Sequence, residues 1–370
     1  MPCRSSIDEV RLLRELISIP SPSGSEVAVA SHLEDVARSA GLDVHRSELG
    51  VVMEVAGRGP GGTLALVSHL DTVPPGEGWT RDPFDAAILD GRLYGRGSGD
   101  AKASVAAMVT AAADVATRGG PTRGRLLVIL GFCEETRDTT MPRLVPTLGD
   151  IDAAVIGEPT NLDLATAQRG VLWLDLVARG AQIHAGRAGG GEPNAIAILA
   201  RDLHALDAVG HGRPHPVLGD PTITPTIIEG GVARNVTAPV ARASLDIRTT
   251  PGWSHAELIA AVREHVTADV EVVSDLLVPC ETPPGSRLVE AARRVRPAAR
   301  EYGSPTCSDW VWFRGVDAMK CGPGTSARSH GPDECVEVDE VREARAFFVS
   351  LVEAWHAAAI SSLTRTSPLS

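Results

Sequence analysis

The sequence predicts an α/β protein, a mostly parallel sheet with helices on both faces, interrupted by an inserted ferredoxin-like α+β unit. Three observations carry this. The runs Leu126–Phe132 and Ala153–Ile156 are continuously apolar and of strand length, as strands covered on both faces are. Ala101–Thr117 is rich in Ala, Val and Met without Gly or Pro, so it reads as a helix packed on such a sheet. Between about Gly170 and Asp275 the order becomes strand, helix, strand, strand, helix, strand, which is the ferredoxin-like series.

Taken in order, Ser6 can cap a helix over Ile7–Ile19, whose Val10, Leu12, Leu13, Leu16 and Ile17 recur at helical spacing before Pro20 and Pro22 stop it. A second helix covers Glu26–Ser39 and ends at Gly41. Strands follow at Val51–Val55 and Leu64–Ser68, the latter after the Gly57–Gly62 turn cluster. The insertion reads as strand Val171–Ala178, helix Asn194–Ala208, strands Thr222–Glu229 and Val240–Asp246, helix Ser254–Val266 and strand Val270–Val273. After Pro283-Pro284-Gly285 come helices near Ser286–Val295 and Val341–Ala359, and Thr364–Ser370 is a polar, frayed end. With 370 residues the chain exceeds one growing core. The simplest division is a discontinuous domain, 1–169 with 279–370, and an inserted domain, 170–278.

A net charge of -12 leaves no basic stripe for nucleic acid. The start lacks an apolar signal region and no stretch has the length of a membrane span, so a cytoplasmic protein is expected. Six scattered cysteines without a C-x-x-C pair read as free thiols in a reducing compartment. Only Lys102 and Lys320 are lysines; the other basic residues are arginine.

The chemistry-bearing residues close strands or open loops. His69-Leu70-Asp71 ends an apolar run, which suits a metal ligand and the carboxylate that orients it. Further motifs are Gly95-Arg96-Gly97-Ser98-Gly99-Asp100-Ala101-Lys102, Cys133-Glu134-Glu135, Gly157-Glu158-Pro159 and Gly322-Pro323-Gly324-Thr325-Ser326-Ala327-Arg328-Ser329-His330. Ligands gather beyond the carboxyl ends of strands in such sheets, so His69, Glu135 and Glu158 can converge, joined by Asp100 and His330. Two imidazoles and three carboxylates suit zinc, with cobalt or manganese as alternatives. Adjacent Glu134 and Glu135 suit a division of labour, one on the metal and one taking a water's proton. The glycines before Asp100 fail the dinucleotide fingerprint, because an aspartate occupies its sixth position and would repel a pyrophosphate.

The order H-x-D, G-R-G-x-x-D-x-K, E-E, G-E-P and a late His resembles the di-zinc amidohydrolase family of acetylornithine deacetylase, succinyl-diaminopimelate desuccinylase and glutamate carboxypeptidase. The resemblance spans about Ser68 to His330. It implies His69 and Glu158 on one zinc, Glu135 and His330 on the other, Asp100 bridging, Asp71 orienting His69 and Glu134 as general acid/base. It further implies a homodimer formed through the inserted domain, with His184 reaching the partner's oxyanion, and Asn235 and Arg248 holding the substrate carboxylate. Arg suits that task through its planar fork. Gly324 and Thr325 could offer backbone N–H groups to the same substrate, and Arg328 could help bind it.

The expected reaction is hydrolysis of the amide bond of an N-acyl amino acid. The C-terminal motif looks most like deacetylases of arginine biosynthesis, making N-acetylornithine or N-acetylcitrulline the first choice. The alternatives are succinyl-diaminopimelate desuccinylation, small-peptide cleavage and, from another class, a non-catalytic metal or amino-acid binding module.

Overall fold

The computed structural model describes residues 7–189 and 191–357. Its elements begin with α1 (Glu9–Ile17), α2 (Val27–Ser39), β1 (Asp43–Ser47), β2 (Gly50–Ala56), β3 (Thr63–His69), β4 (Ile88–Leu89) and β5 (Arg92–Tyr94). Then come α3 (Lys102–Thr117), β6 (Arg125–Gly131), α4 (Met141–Leu144), β7 (Ala153–Ile156) and β8 (Leu164–Gln168). The middle of the chain adds β9 (Gly170–Arg179), α5 (Ala195–Ala205), β10 (Thr222–Gly230), β11 (Val240–Thr249), α6 (His255–His265) and β12 (Asp269–Leu277). It closes with β13 (Cys280–Glu281), α7 (Arg287–Val295), β14 (Glu301–Ser304), β15 (Asp317–Lys320), β16 (Cys335–Glu337) and α8 (Val338–Ala357). Two compact units result: Met1–Ala165 with Thr282–Glu301 and Ser308–Ser370, and Thr166–Glu281 with Tyr302–Cys307.

In the first unit, β6, β3, β7 and β15 lie side by side and run parallel, with β2 and β1 added antiparallel beyond β6. All seven residues of β3 are buried, and so are Leu126–Gly131 of β6 and the whole of β7, which is why these runs are apolar without alternation. The Ala-rich α3 is buried at almost every position and shares one core with Leu12, Leu13, Leu16 and Ile17 of α1 and Phe347, Phe348 and Leu351 of α8. Small side chains permit that close approach. A Cβ on Gly157, just past β7, would sit 2.6 Å from Met108 Cε of α3. Each large apolar side chain buried here contributes about 1.5 to 3 kcal/mol.

Asp8, not Ser6, caps α1: its carboxylate accepts the Arg11 N–H at 2.7 Å. Ser6 and the Thr364–Ser370 end both lie outside the described residues. The hairpin strand β1 and the short β4, β5, β15 and β16 carry no apolar run long enough to announce them.

The second unit is an antiparallel sheet in the order β10-β11-β9-β12, with α5 and α6 contributing to one core of Leu172, Leu174, Leu176, Leu199, Leu245 and Leu258. Its β-α-β-β-α-β sequence and strand order make it ferredoxin-like. Asn194 caps α5, and Ser254 with Glu257 forms a capping box on α6. Strand β10 stands at the sheet edge and is exposed along nearly its whole length, Ile227 and Ile228 at 56% and 63%.

Candidate metal centre

The register of the parallel strands assembles the centre. His69 ends β3 opposite Gly131, the last residue of β6, and Val67 pairs with Ile156, the last residue of β7. Glu134–Glu135 and Glu158 therefore leave the sheet beside His69. Ser68 Oγ donates to Gly157 O at 3.0 Å and the Gly157 N–H to Val67 O at 2.7 Å, so the β7 exit is tied to the β3 exit. Lys320 of β15 pairs with Ile156, which starts the 321–330 loop from the same edge.

His69, Asp100 and Glu135 bring one ligand atom each within 4.8 Å of one another. His69 Nε2 lies 3.4 Å from one Asp100 oxygen, and His330 Nε2 lies 3.5 Å from the other. His330 Nε2 also stands 3.0 Å from Glu135. Asp100 thus faces both imidazoles. His69 Nδ1 donates to the Asp71 carbonyl at 3.0 Å, which turns Nε2 toward Asp100; that Nε2 is buried and has no hydrogen-bond partner. The fully buried Asp71 carboxylate lies 3.4 Å from His69 Nδ1. It accepts the Glu134 and Glu135 N–H groups, each at 3.0 Å, and the Ser23 hydroxyl at 2.7 Å.

The electrostatics are those of a cation site. Burial lowers the His69 imidazole, yet the neighbouring carboxylates of Asp100 and Asp71 and the charge of Glu134 hold its pKa well above the usual range. Hydrogen bonds to Asp100 and Glu135 raise His330 to about 10. Burial, then the Asp100 charge, pushes Glu158 up to about 8. Burial likewise raises Glu134 well above the carboxylate range against the pull of His69, reinforced by Glu158, Asp309 and Glu135. So many crowded carboxylates with one orphaned imidazole nitrogen fit a divalent metal, whose charge would take the place of the protons this cluster otherwise attracts. Two ring nitrogens with carboxylate oxygens and no thiolate form a donor set suited to zinc.

Two residues at the centre have left-handed backbone. Cys133, before Glu134, has φ +58° and His330 has φ +65°. Left-handed backbone costs a non-glycine residue roughly 1 to 2 kcal/mol, and such strain gathers at functional sites.

The remaining residues expected at the site belong to the second unit or make local contacts. His184, Asn235 and Arg248 belong to the second unit. Exposed His184 pairs with Val236, and its Nδ1 accepts the Gly186 N–H at 3.1 Å. Asn235 O accepts the Ala185 N–H at 2.8 Å. Arg248 forks onto its neighbour Asp246 at 2.7 and 3.1 Å, and Trp173 Nε1 donates to that carboxylate. In the glycine turn the Gly322 N–H donates to Thr160 Oγ1 at 3.1 Å, and Gly324 is buried with φ +87°. Thr325 uses its hydroxyl to cap the turn over Ser326–Arg328, and Arg328 lies 3.6 Å from Glu337.

Four residues near the centre escaped the sequence. Ser23 holds Asp71. Arg96 stood inside a quoted motif without a role, and Glu334, four residues past His330, gave no signal. Asp309 is buried and accepts the Thr139 hydroxyl at 3.1 Å. Lys102 now has a structural place: fully buried, it donates to Leu16 O and Ile19 O at 2.8 and 3.0 Å where α1 ends, and burial pulls its pKa down to about 7. A cleft of about 680 Å³ lined by Glu26, Arg46, Cys133 and Arg143 contains none of the five ligand candidates.

Residues 65–354 match the profile of the peptidase family M20/M25/M40. A succinyl-diaminopimelate desuccinylase of Cereibacter sphaeroides is 30% identical, covering 95% of this chain and 100% of its own. A protein named as a probable carboxypeptidase from Aspergillus clavatus is 30% identical over 92% of this chain and 81% of its own. The crystal structure of a dinuclear metal binding M20 peptidase from Bacillus subtilis superposes with a TM-score of 0.71, at 16% identity over 93% of this chain and 96% of that one.

Proposed function

The chain belongs to peptidase family M20/M25/M40 and is a metallo-hydrolase, and from that premise we propose that it removes the succinyl group from an N-succinyl amino acid. The single observation that carries the hydrolytic reading is Glu134 held by its backbone next to the Asp100, Glu135 and His330 cluster. The desuccinylase relative, similar over its entire length, favours a succinyl group over the acetyl group of the N-acetylornithine or N-acetylcitrulline expectation. Cleavage of a small peptide is the second reading, favoured by the carboxypeptidase relative.

In this proposal two zinc ions are held by His69, Asp100, Glu135, Glu158 and His330. When bound, they supply Lewis-acid polarisation of the scissile carbonyl and a water acidic enough to ionise near neutral pH. Glu134 takes the proton of the attacking water and returns it to the nitrogen as the C–N bond breaks, which yields a carboxylate and a free amine. Asp71 keeps Glu134 and Glu135 in place through their N–H groups. Arg248 would exchange Asp246 for the substrate carboxylate, beside Asn235. His184 would reach the oxyanion of a second copy, paired along the exposed β10 edge, whose unfilled hydrogen bonds and Ile227 and Ile228 suit such an addition.

A panel of N-succinyl, N-acetyl and dipeptide substrates, each with zinc-loaded protein, tests the assignment. Preference for an N-succinyl amino acid supports it. Preference for a dipeptide or N-acetylornithine overturns it while keeping the hydrolase. Binding without turnover at every metal loading would instead indicate a binding module.

A further inference from the structure

Three loops that carry metal-ligand candidates meet at one buried ion pair. Arg96 and Glu334 are each 1% exposed, and Arg96 Nη1 lies 2.5 Å from Glu334 Oε2. The Glu334 carboxylate also accepts the N–H groups of Gly97, Gly99 and Asp100, at 3.1, 2.8 and 3.0 Å. Arg96 Nη2 in turn donates to Pro75 O and His330 O, both at 3.1 Å, and to Gly331 O at 3.3 Å. The Trp79 ring lies 5.3 Å from the guanidinium carbon and its indole N–H donates to the same Pro75 carbonyl at 2.7 Å. One pair therefore binds the loop after His69 and Asp71, the loop entering Asp100, and the loop of His330.

A buried ion pair as such is weak evidence for stability, because well-packed apolar residues commonly replace one at no loss. An apolar pair cannot, however, accept three N–H groups from one loop while donating to carbonyls of two others. We infer that Arg96 and Glu334 are positioning residues for the metal centre, fixing Asp100 and His330 relative to each other and to the His69 strand end. The inference rests on the metal-hydrolase reading of this site. The fixed carboxylate of Glu334 sets the Asp100 backbone directly, and the guanidinium sets that of His330, where φ is +65°.

The test is zinc affinity, measured by chelator competition on the full chain, alongside thermal unfolding of the metal-free protein. In Arg96→Met/Glu334→Leu no charge is left unpaired, but three N–H groups lose their acceptor, so the melting temperature should fall; in the protein that remains folded, zinc binding should weaken about 10- to 100-fold, as it does when residues supporting metal ligands are lost. Arg96→Lys keeps the charge but cannot reach Glu334 and the two loops together. It should remain folded, weaken zinc and alter the visible spectrum of the cobalt-loaded protein. A double variant that folds and binds zinc like the wild type overturns the inference, as does Arg96→Lys with unchanged affinity and cobalt spectrum if the double variant fails to fold. A wild-type chain that binds no zinc would instead defeat the metal reading itself.

Discussion

Replacing Asp71 by Asn changes one atom in a fully buried carboxylate of the centre. Its two oxygens accept three donors, the N–H groups of Glu134 and Glu135 and the Ser23 hydroxyl. An amide keeps one accepting oxygen and turns an NH2 toward a donor, so at least one backbone N–H of the Glu134–Glu135 pair is stranded. Losing a charge-assisted bond and stranding a buried donor costs about 2 to 4 kcal/mol. At roughly 2 to 4 °C per kcal/mol for a unit of this size, the metal-free melting temperature should fall by roughly 4 to 16 °C. Zinc affinity should fall about 10- to 100-fold, because His69 also loses the carboxylate 3.4 Å from its Nδ1. The pH dependence has a definite sign. Burial raises the Asp71 pKa, but the His69 hydrogen bond and charge and the Ser23 hydroxyl outweigh it and hold the carboxyl below its usual range. Such a group stabilises the fold above its unfolded pKa of about 4, and that contribution is lost as the pH falls through the lower folded value. The gap between wild type and variant should therefore be complete at about pH 6 and shrink in more acidic solution. Differential scanning at several pH values and chelator competition measure both effects. Wild-type melting together with wild-type zinc affinity in Asp71→Asn would refute this role and reduce Asp71 to a turn cap at Thr72–Pro74.

Glu134→Gln should lose about 100- to 10,000-fold in turnover while its metal content stays that of the wild type, checked by steady-state kinetics and metal analysis. Asp309, raised to about 7 chiefly by burial, opposes folding once it ionises. Stability should then decline as the pH rises from about 4 to about 7, and Asp309→Asn should flatten that slope in urea titrations and be the more stable protein at about pH 8. Chelation should lower the melting temperature by releasing the repulsion among Glu134, Glu135 and Glu158, with zinc restoring it; a chelated protein that melts unchanged would contradict the cation site. Gly97→Ala should destabilise the chain and weaken zinc, since φ is +83° there and a Cβ would lie 2.7 Å from Thr72 Cγ2; melting and chelator competition report both.

The sequence alone determined the sheet and the insertion, because continuous apolar runs and a helix without breakers admit few other burials. It also singled out the ligand candidates, since His69, Asp100, Glu135, Glu158 and His330 each close a strand or follow a strand or a glycine-rich turn that local pattern reveals. Only tertiary structure decided what those side chains meet. Register places His69 beside Glu158, 89 positions away, and the Ser68 to Gly157 hydrogen bond that joins their strand ends has no local signature. Arg96 and Glu334 are 238 positions apart, so their pairing is invisible to any short-range periodicity. Turns hide the same kind of information: the Gly322 N–H donates to Thr160 Oγ1, 162 positions away, and no local pattern in the glycine run announces that partner.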